Sequence, residues 1–185
     1  MAGSWRLPLF IALLSALFGF AVQFALTGSQ EEGVASGASH ATERSVVGEL
    51  RPDIHLPDAS GSPRRLSEWD GRVLVVNFWA TWCPPCREEM PVLVSAARDY
   101  EAEGVSVIGV AFDQAAKVKA FMLEFDVVFP VLVEEGVGAA LSAAYGNPQG
   151  LLPYTVVIDR TGTIRHTHRG RVDRQTLDGY LAGLL

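Results

Sequence analysis

Val73-Leu74-Val75-Val76-Asn77-Phe78-Trp79-Ala80-Thr81-Trp82-Cys83-Pro84-Pro85-Cys86 is an apolar run that ends in a C-x-x-C pair. Its first eight residues are mostly β-branched or aromatic, the pattern of a strand buried on both faces of an α/β sheet. Pro84 and Pro85 suit the first positions of a helix, where a missing N–H costs nothing. Beyond them Val92, Leu93, Ala96, Ala97 and Tyr100 recur at helical spacing, which predicts a helix over Pro84 to Glu103. Cys83 then falls at or beside the N-cap, where orphan backbone N–H groups and the positive end of the helix dipole lower a thiol's pKa. Cys86 follows one turn inside.

These are the only two cysteines of the chain. A structural disulfide with so short a loop would constrain little of the unfolded chain. A zinc site needs about four ligands, and His40, His55, His166 and His168 lack the usual finger spacing. A chance pair is the third alternative. A redox-active dithiol is preferred to all three, because strand, tryptophan, C-P-P-C and helix agree with one another.

Working outward, strand patterns cover 54–56, 72–80, 105–112, 131–133, 154–159 and 163–169. Helical patterns cover 114–125, 138–145 and 173–184 in addition to the one after the cysteines. Arg160-Thr161-Gly162-Thr163 reads as the hairpin turn between the last two strands. Alternating strands and helices argue α/β architecture. About 135 residues follow the first fifty, enough for one domain with a real core. The net charge of −6 and the lack of a basic cluster give no electrostatic footprint for nucleic acid.

The N-terminus reads differently. Leu7 to Leu26 carries no charge, and twenty helical residues span about 30 Å, the thickness of a bilayer core. Arg6 precedes this segment while Glu31 and Glu32 follow it, so residues 1–6 are expected in the cytoplasm and the domain outside. A retained anchor is favoured over a cleaved signal peptide, which prefers a shorter apolar stretch and a small-x-small site close behind it. Residues 27–46 are rich in Gly, Ser, Ala and Glu and read as a flexible tether, with a relaxed span of roughly 25 Å. Residues 47–185 form the expected domain.

Asn77-Phe78-Trp79-Ala80-Thr81-Trp82-Cys83-Pro84-Pro85-Cys86-Arg87-Glu88-Glu89-Met90-Pro91 resembles the active-site signature of membrane-anchored thioredoxin-like proteins of the TlpA, ResA and CcmG type. The likeness continues through Pro52 to Asp58, Leu66 to Arg72 and Leu152 to Asp159, and covers about residues 47–185. It implies a thioredoxin-like fold, a central mixed β-sheet flanked by helices, behind one N-terminal transmembrane helix.

The resemblance also implies roles. Cys83 would attack a substrate disulfide and Cys86 would resolve the mixed disulfide, leaving Cys83 and Cys86 as the redox-active disulfide, with no other cofactor and no metal. Leu152-Pro153 is a candidate cis peptide bond beside the cysteines, with Leu151 standing where the family more often has Gly. Glu89 shares a helix face with Cys86, and in reducing members such a carboxylate tunes the pair and passes protons. Asn77 stands where thioredoxin itself has a buried Asp. Trp82, Pro84, Pro85 and Leu152 would line the substrate groove, while Trp79 fills the core. His166 and His168 alternate on one strand and are expected to form a solvated face, and Pro130 reads as structural.

The function implied is reduction of protein disulfides, for example those of apocytochrome c during cytochrome c maturation. The domain would sit on the periplasmic side of the bacterial inner membrane as a single-pass protein, fed by a membrane thiol carrier. An oxidant or isomerase of the same fold is an alternative. A copper(I)-delivery module is another, but copper-delivering relatives place three residues between the cysteines, and this chain has two. A peroxidase is disfavoured by Ala80, which stands where a Thr would be needed three residues before the reactive Cys.

Overall fold

The structure is a computed structural model, described here for residues 45–136 and 138–185. The expected membrane segment at 7–26 and the tether through residue 44 lie outside the described residues. Among the described residues no helix is long and apolar enough to cross a membrane.

Among the described residues seven strands and four α-helices follow in order: β1 (His55–Pro57), β2 (Pro63–Arg65), β3 (Val73–Trp79), α1 (Pro84–Asp99), β4 (Val105–Ala111), α2 (Ala115–Glu124), β5 (Val131–Val133), α3 (Gly138–Ala144), β6 (Tyr154–Ile158), β7 (Ile164–Arg169) and α4 (Arg174–Leu181). The main sheet runs β5-β4-β3-β6-β7. β3 lies at its centre, parallel to β4 and antiparallel to β6. Every residue of β3 is buried, as a strand covered on both faces requires.

Alternation along β3 divides the core. Val73, Val75 and Trp79 join the cluster that α1, α2 and α4 cover with Met90, Leu93, Phe121, Leu177 and Leu181. Leu74, Val76 and Phe78 face the other way, into a cluster with Ile54, Leu66, Tyr145 and Tyr154. This mixed sheet with helices on both faces is the thioredoxin-like arrangement the resemblance implied. Val46, at the end of the expected tether, already packs against the second cluster.

Two elements are absent from the sequence reading. β2 pairs antiparallel with β1, and a 3₁₀ turn, Leu66–Trp69, follows it. Both are polar and short, and side chains rather than apolar period set them. Asp58 Oδ1 accepts from the Ser60 and Ser62 N–H groups in the turn, and Glu68 reaches back to the Arg65 N–H.

Helix α1 stops at Asp99, four residues before the expected end. The chain must turn into β4 there: Val105 N–H donates to the Tyr100 carbonyl, and Gly104 takes φ of +86°, a conformation that suits a residue without Cβ. α4 is also shorter than expected: it begins after its N-cap Asp173, which accepts from the Thr176 N–H at 2.8 Å, and it ends at Leu181, three residues before the expected end.

Candidate functional site

The site forms where β3 gives way to α1. Cys83 is the N-cap, in extended conformation, and Pro84 and Pro85 open the helix. Cys83 and Cys86 are joined in a disulfide with Cα atoms 5.3 Å apart. Both cysteines are buried, Cys83 keeping 4% exposure and Cys86 none, so of the two the residue at the helix entrance is the more exposed. Trp82 beside it is 66% exposed, while Trp79 is fully buried against Phe121. Trp79 lies in the core and Trp82 stays at the surface, as their positions in the sequence implied.

The Leu152–Pro153 bond is cis. The register Phe78↔Tyr154 brings Pro153 to the end of the sheet from which the cysteine loop departs. Gly170 N–H donates to the Pro153 carbonyl at 2.9 Å. Gly150, rather than the residue two before the proline, takes the positive φ of +62°, so Leu151 stays out of the left-handed region. Leu151 is exposed and Leu152 half-buried, adding apolar surface.

Beneath the disulfide, Glu89 is completely buried one turn along α1 from Cys86. Its Oε1 accepts from Asn77 Nδ2 at 2.8 Å, and its Oε2 from the Val172 N–H at 2.8 Å. Burial pushes its carboxyl up to about 7, against the opposing pull of those two hydrogen bonds and the Arg171 charge. Glu89 is therefore balanced between proton donor and acceptor near neutral pH. Asn77 spends its amide N–H groups on Glu89 and on Thr155 Oγ1, at 3.0 Å, and its Oδ1 has no partner.

The cysteine loop has an anchor the sequence reading missed. Thr81 Oγ1 donates to Asp113 Oδ2 in a short hydrogen bond, and Lys117 lies 3.2 Å from Oδ1. Burial pushes the Asp113 carboxyl up, but the bonds from Thr81, the Gln114 N–H and Lys117 outweigh it and hold the group below the usual carboxylate range. A lone Asp at the end of a strand gives no local signal of this, because its partner lies 32 positions earlier. The Val172 N–H was equally hidden, being a backbone group on a loop.

One expectation is corrected. His166 and His168 do share a face of β7, but Tyr180 from α4 covers it. His166 stacks on the Tyr180 ring at 4.6 Å, and His168 Nδ1 lies 3.2 Å from the phenol oxygen. The tyrosine brings a large apolar ring across from another element, which strand alternation cannot reveal. Among the described residues no group of three or more His, Cys, Asp or Glu is arranged to hold a metal ion. Pro130 carries a structural bond, its carbonyl accepting from the Gly109 N–H at 2.9 Å.

Comparison with known proteins agrees with this geometry. The Redoxin family profile matches residues 46–184. The thioredoxin-like protein YneN of Bacillus subtilis is 33% identical over 135 residues, covering 71% of this chain and 76% of that protein. The thiol-disulfide oxidoreductase ResA of Bacillus cereus is 31% identical over 140 residues, covering 75% and 79%. Among solved structures, a putative thiol:disulfide interchange protein DsbE from Chlorobium tepidum superimposes with a TM-score of 0.66 at 27% identity, over 75% of this chain and 96% of that one.

Proposed function

The chain belongs to the Redoxin family and is a thiol–disulfide oxidoreductase of the ResA and DsbE type, and from that premise we propose that it reduces protein disulfides outside the cytoplasm. In this reading residues 7–26 hold it in the bacterial inner membrane, residues 27–46 tether it, and the domain works on the periplasmic side. Its substrates are proteins with disulfides, apocytochrome c among them, and a membrane thiol carrier supplies the electrons. The Cys83–Cys86 disulfide is the only redox group the reaction needs.

The observation that carries the direction is the buried Glu89 beneath the pair. A buried carboxylate one helical turn from Cys86 disfavours thiolate, and a strong oxidant needs the opposite, a stabilised thiolate in its reduced form. In the reduced protein, the Cys83 thiolate attacks one sulfur of the substrate disulfide. The substrate's other sulfur leaves as thiolate and takes a proton, and Cys83 is held in a mixed disulfide. Glu89 as carboxylate then accepts the Cys86 proton, and the Cys86 thiolate attacks Cys83 Sγ. The second substrate thiolate departs and is protonated, two electrons having passed to the substrate. An external dithiol restores Cys83 and Cys86 by the same steps in reverse.

The test is the equilibrium reduction potential of the full chain in detergent, against dithiothreitol or glutathione buffers. A value near or below about −270 mV is expected, and one near about −120 mV would overturn the reductant reading. Cys86→Ala is expected to accumulate mixed disulfides on Cys83 in cells. If Cys83→Ala traps partners equally well, the nucleophile is misassigned.

A further inference from the structure

Four residues, Gly170 to Asp173, join β7 to α4, and two of their backbone groups serve the site. Gly170 N–H holds the Pro153 carbonyl, and Val172 N–H donates to Glu89 Oε2. The peptide unit that presents the Val172 N–H also carries the Arg171 carbonyl. That oxygen lies 3.2 Å from His168 Nε2. A carbonyl only accepts, so Nε2 carries the proton, and in the neutral ring Nδ1 is then the acceptor for the Tyr180 hydroxyl, 3.2 Å away. His166, stacked on Tyr180, keeps the phenol over the strand.

The groups thus form one directed chain: Tyr180 O–H to His168 Nδ1, His168 Nε2–H to the Arg171 carbonyl, and Val172 N–H to Glu89 Oε2. Each donor polarises the next, and drawing electron density onto the Arg171 oxygen leaves the Val172 N–H a stronger donor. We propose that His168 is a positioning residue for Glu89, aiming and polarising the 171–172 peptide so that its N–H favours the ionised carboxylate beneath the disulfide. This rests on the reading that Glu89 sets the proton response of the cysteine pair.

The surroundings leave room for such an effect. Asn77 and Thr155, from β3 and β6, are neutral. Arg171 faces Glu89 from the loop, and also lies 3.9 Å from Glu88. Around His168 stand Tyr180 of α4 and Asp173 at that helix's N-cap. The contribution of His168 travels through a peptide, so it is separable from Arg171, whose charge acts directly.

The experiment follows the infrared band of the protonated Glu89 carboxyl, identified as the band that Glu89→Gln removes, as a function of pH in the full chain in detergent. His168→Phe is expected to raise the midpoint by about half a pH unit, the scale of weakening one charge-assisted hydrogen bond. His168→Gln, whose amide N–H can reach the Arg171 carbonyl, is expected to stay at the wild-type midpoint, and Tyr180→Phe to show a smaller rise. An unchanged midpoint in His168→Phe, or an equal shift in His168→Gln, overturns the proposal. If His168→Phe does not fold, an unchanged midpoint in Tyr180→Phe overturns it. The pH profile of the reduction potential in Glu89→Gln tests the underlying reading separately. A bend that survives there removes Glu89 from the redox chemistry, while the infrared midpoint still decides the role of His168.

Discussion

The two faces of β3 bury polar groups in opposite ways. On the face towards α3, the Tyr154 hydroxyl donates to the Tyr145 carbonyl at 2.9 Å and the Tyr145 hydroxyl donates to the Pro52 carbonyl, around an aromatic cluster with Phe78. On the face towards α1, Glu89 keeps a displaced pKa. The buried side-chain atoms without a partner among the described residues, Asn77 Oδ1 and Trp79 Nε1, also lie there. One face is satisfied and holds the sheet together. The other keeps groups whose protonation or partner can change, and it is the face under the cysteines.

The contrast is sharpest in Phe78→Ala, which empties the aromatic side and is expected to cost about 3–5 kcal/mol in denaturant unfolding. Its remaining folded fraction should still exchange disulfides at the wild-type rate. A lost rate without lost stability would break the division between the faces.

Glu89→Gln should act in the other direction. With its pKa raised from 4.5 to about 7, native Glu89 holds a proton that the unfolded chain releases between those pH values, so stability falls as pH rises through that window. The penalty is complete above pH 7, at about 3 kcal/mol for that shift. The variant stays neutral, and a turned Asn77 amide can accept its N–H on Oδ1. It is expected to be more stable than wild type by that order at about pH 8 and equal to it near pH 4, measured by urea unfolding. A variant no more stable at pH 8 would show that the pocket is not under electrostatic tension.

Tyr145→Phe removes one satisfied hydrogen bond, at a cost of about 1 kcal/mol. Burial pushes the Tyr145 phenol well up, keeping it protonated, so this cost should not vary between pH 5 and 8. A pH-dependent cost would mean that the second face also stores a titrating group. Smallest in stability is Trp82→Ala, within about 0.5 kcal/mol for so exposed a side chain, with a raised KM for protein disulfides. An unchanged KM would remove Trp82 from the groove.

What was legible in the sequence follows the same division. The apolar run of β3, the two prolines opening α1 and the cysteine at its N-cap are local patterns, and local patterns survive in one dimension. Glu89 was readable because it sits one helical turn from Cys86. Its carboxylate partners were not. The Val172 N–H is a backbone group 83 positions away, and Thr155, which ties down Asn77, comes 78 positions after it. Tyr180 over His166 and His168 escaped for the same reason, as did Asp113 under Thr81. The β1–β2 hairpin was missed because carboxylate side chains shape its turn and no apolar alternation marks it.

The long bond from Glu89 to Val172 has a consequence for the order of synthesis. A ribosome makes the cysteines and their glutamate well before the loop that holds the glutamate, which follows 83 positions later. Until that loop is made, Glu89 lacks the backbone donor that favours its ionised form. The setting of Glu89 is thus completed only when β7 and the loop after it are made, and a chain truncated before Val172 would carry the cysteines and the glutamate without the N–H that holds the carboxylate.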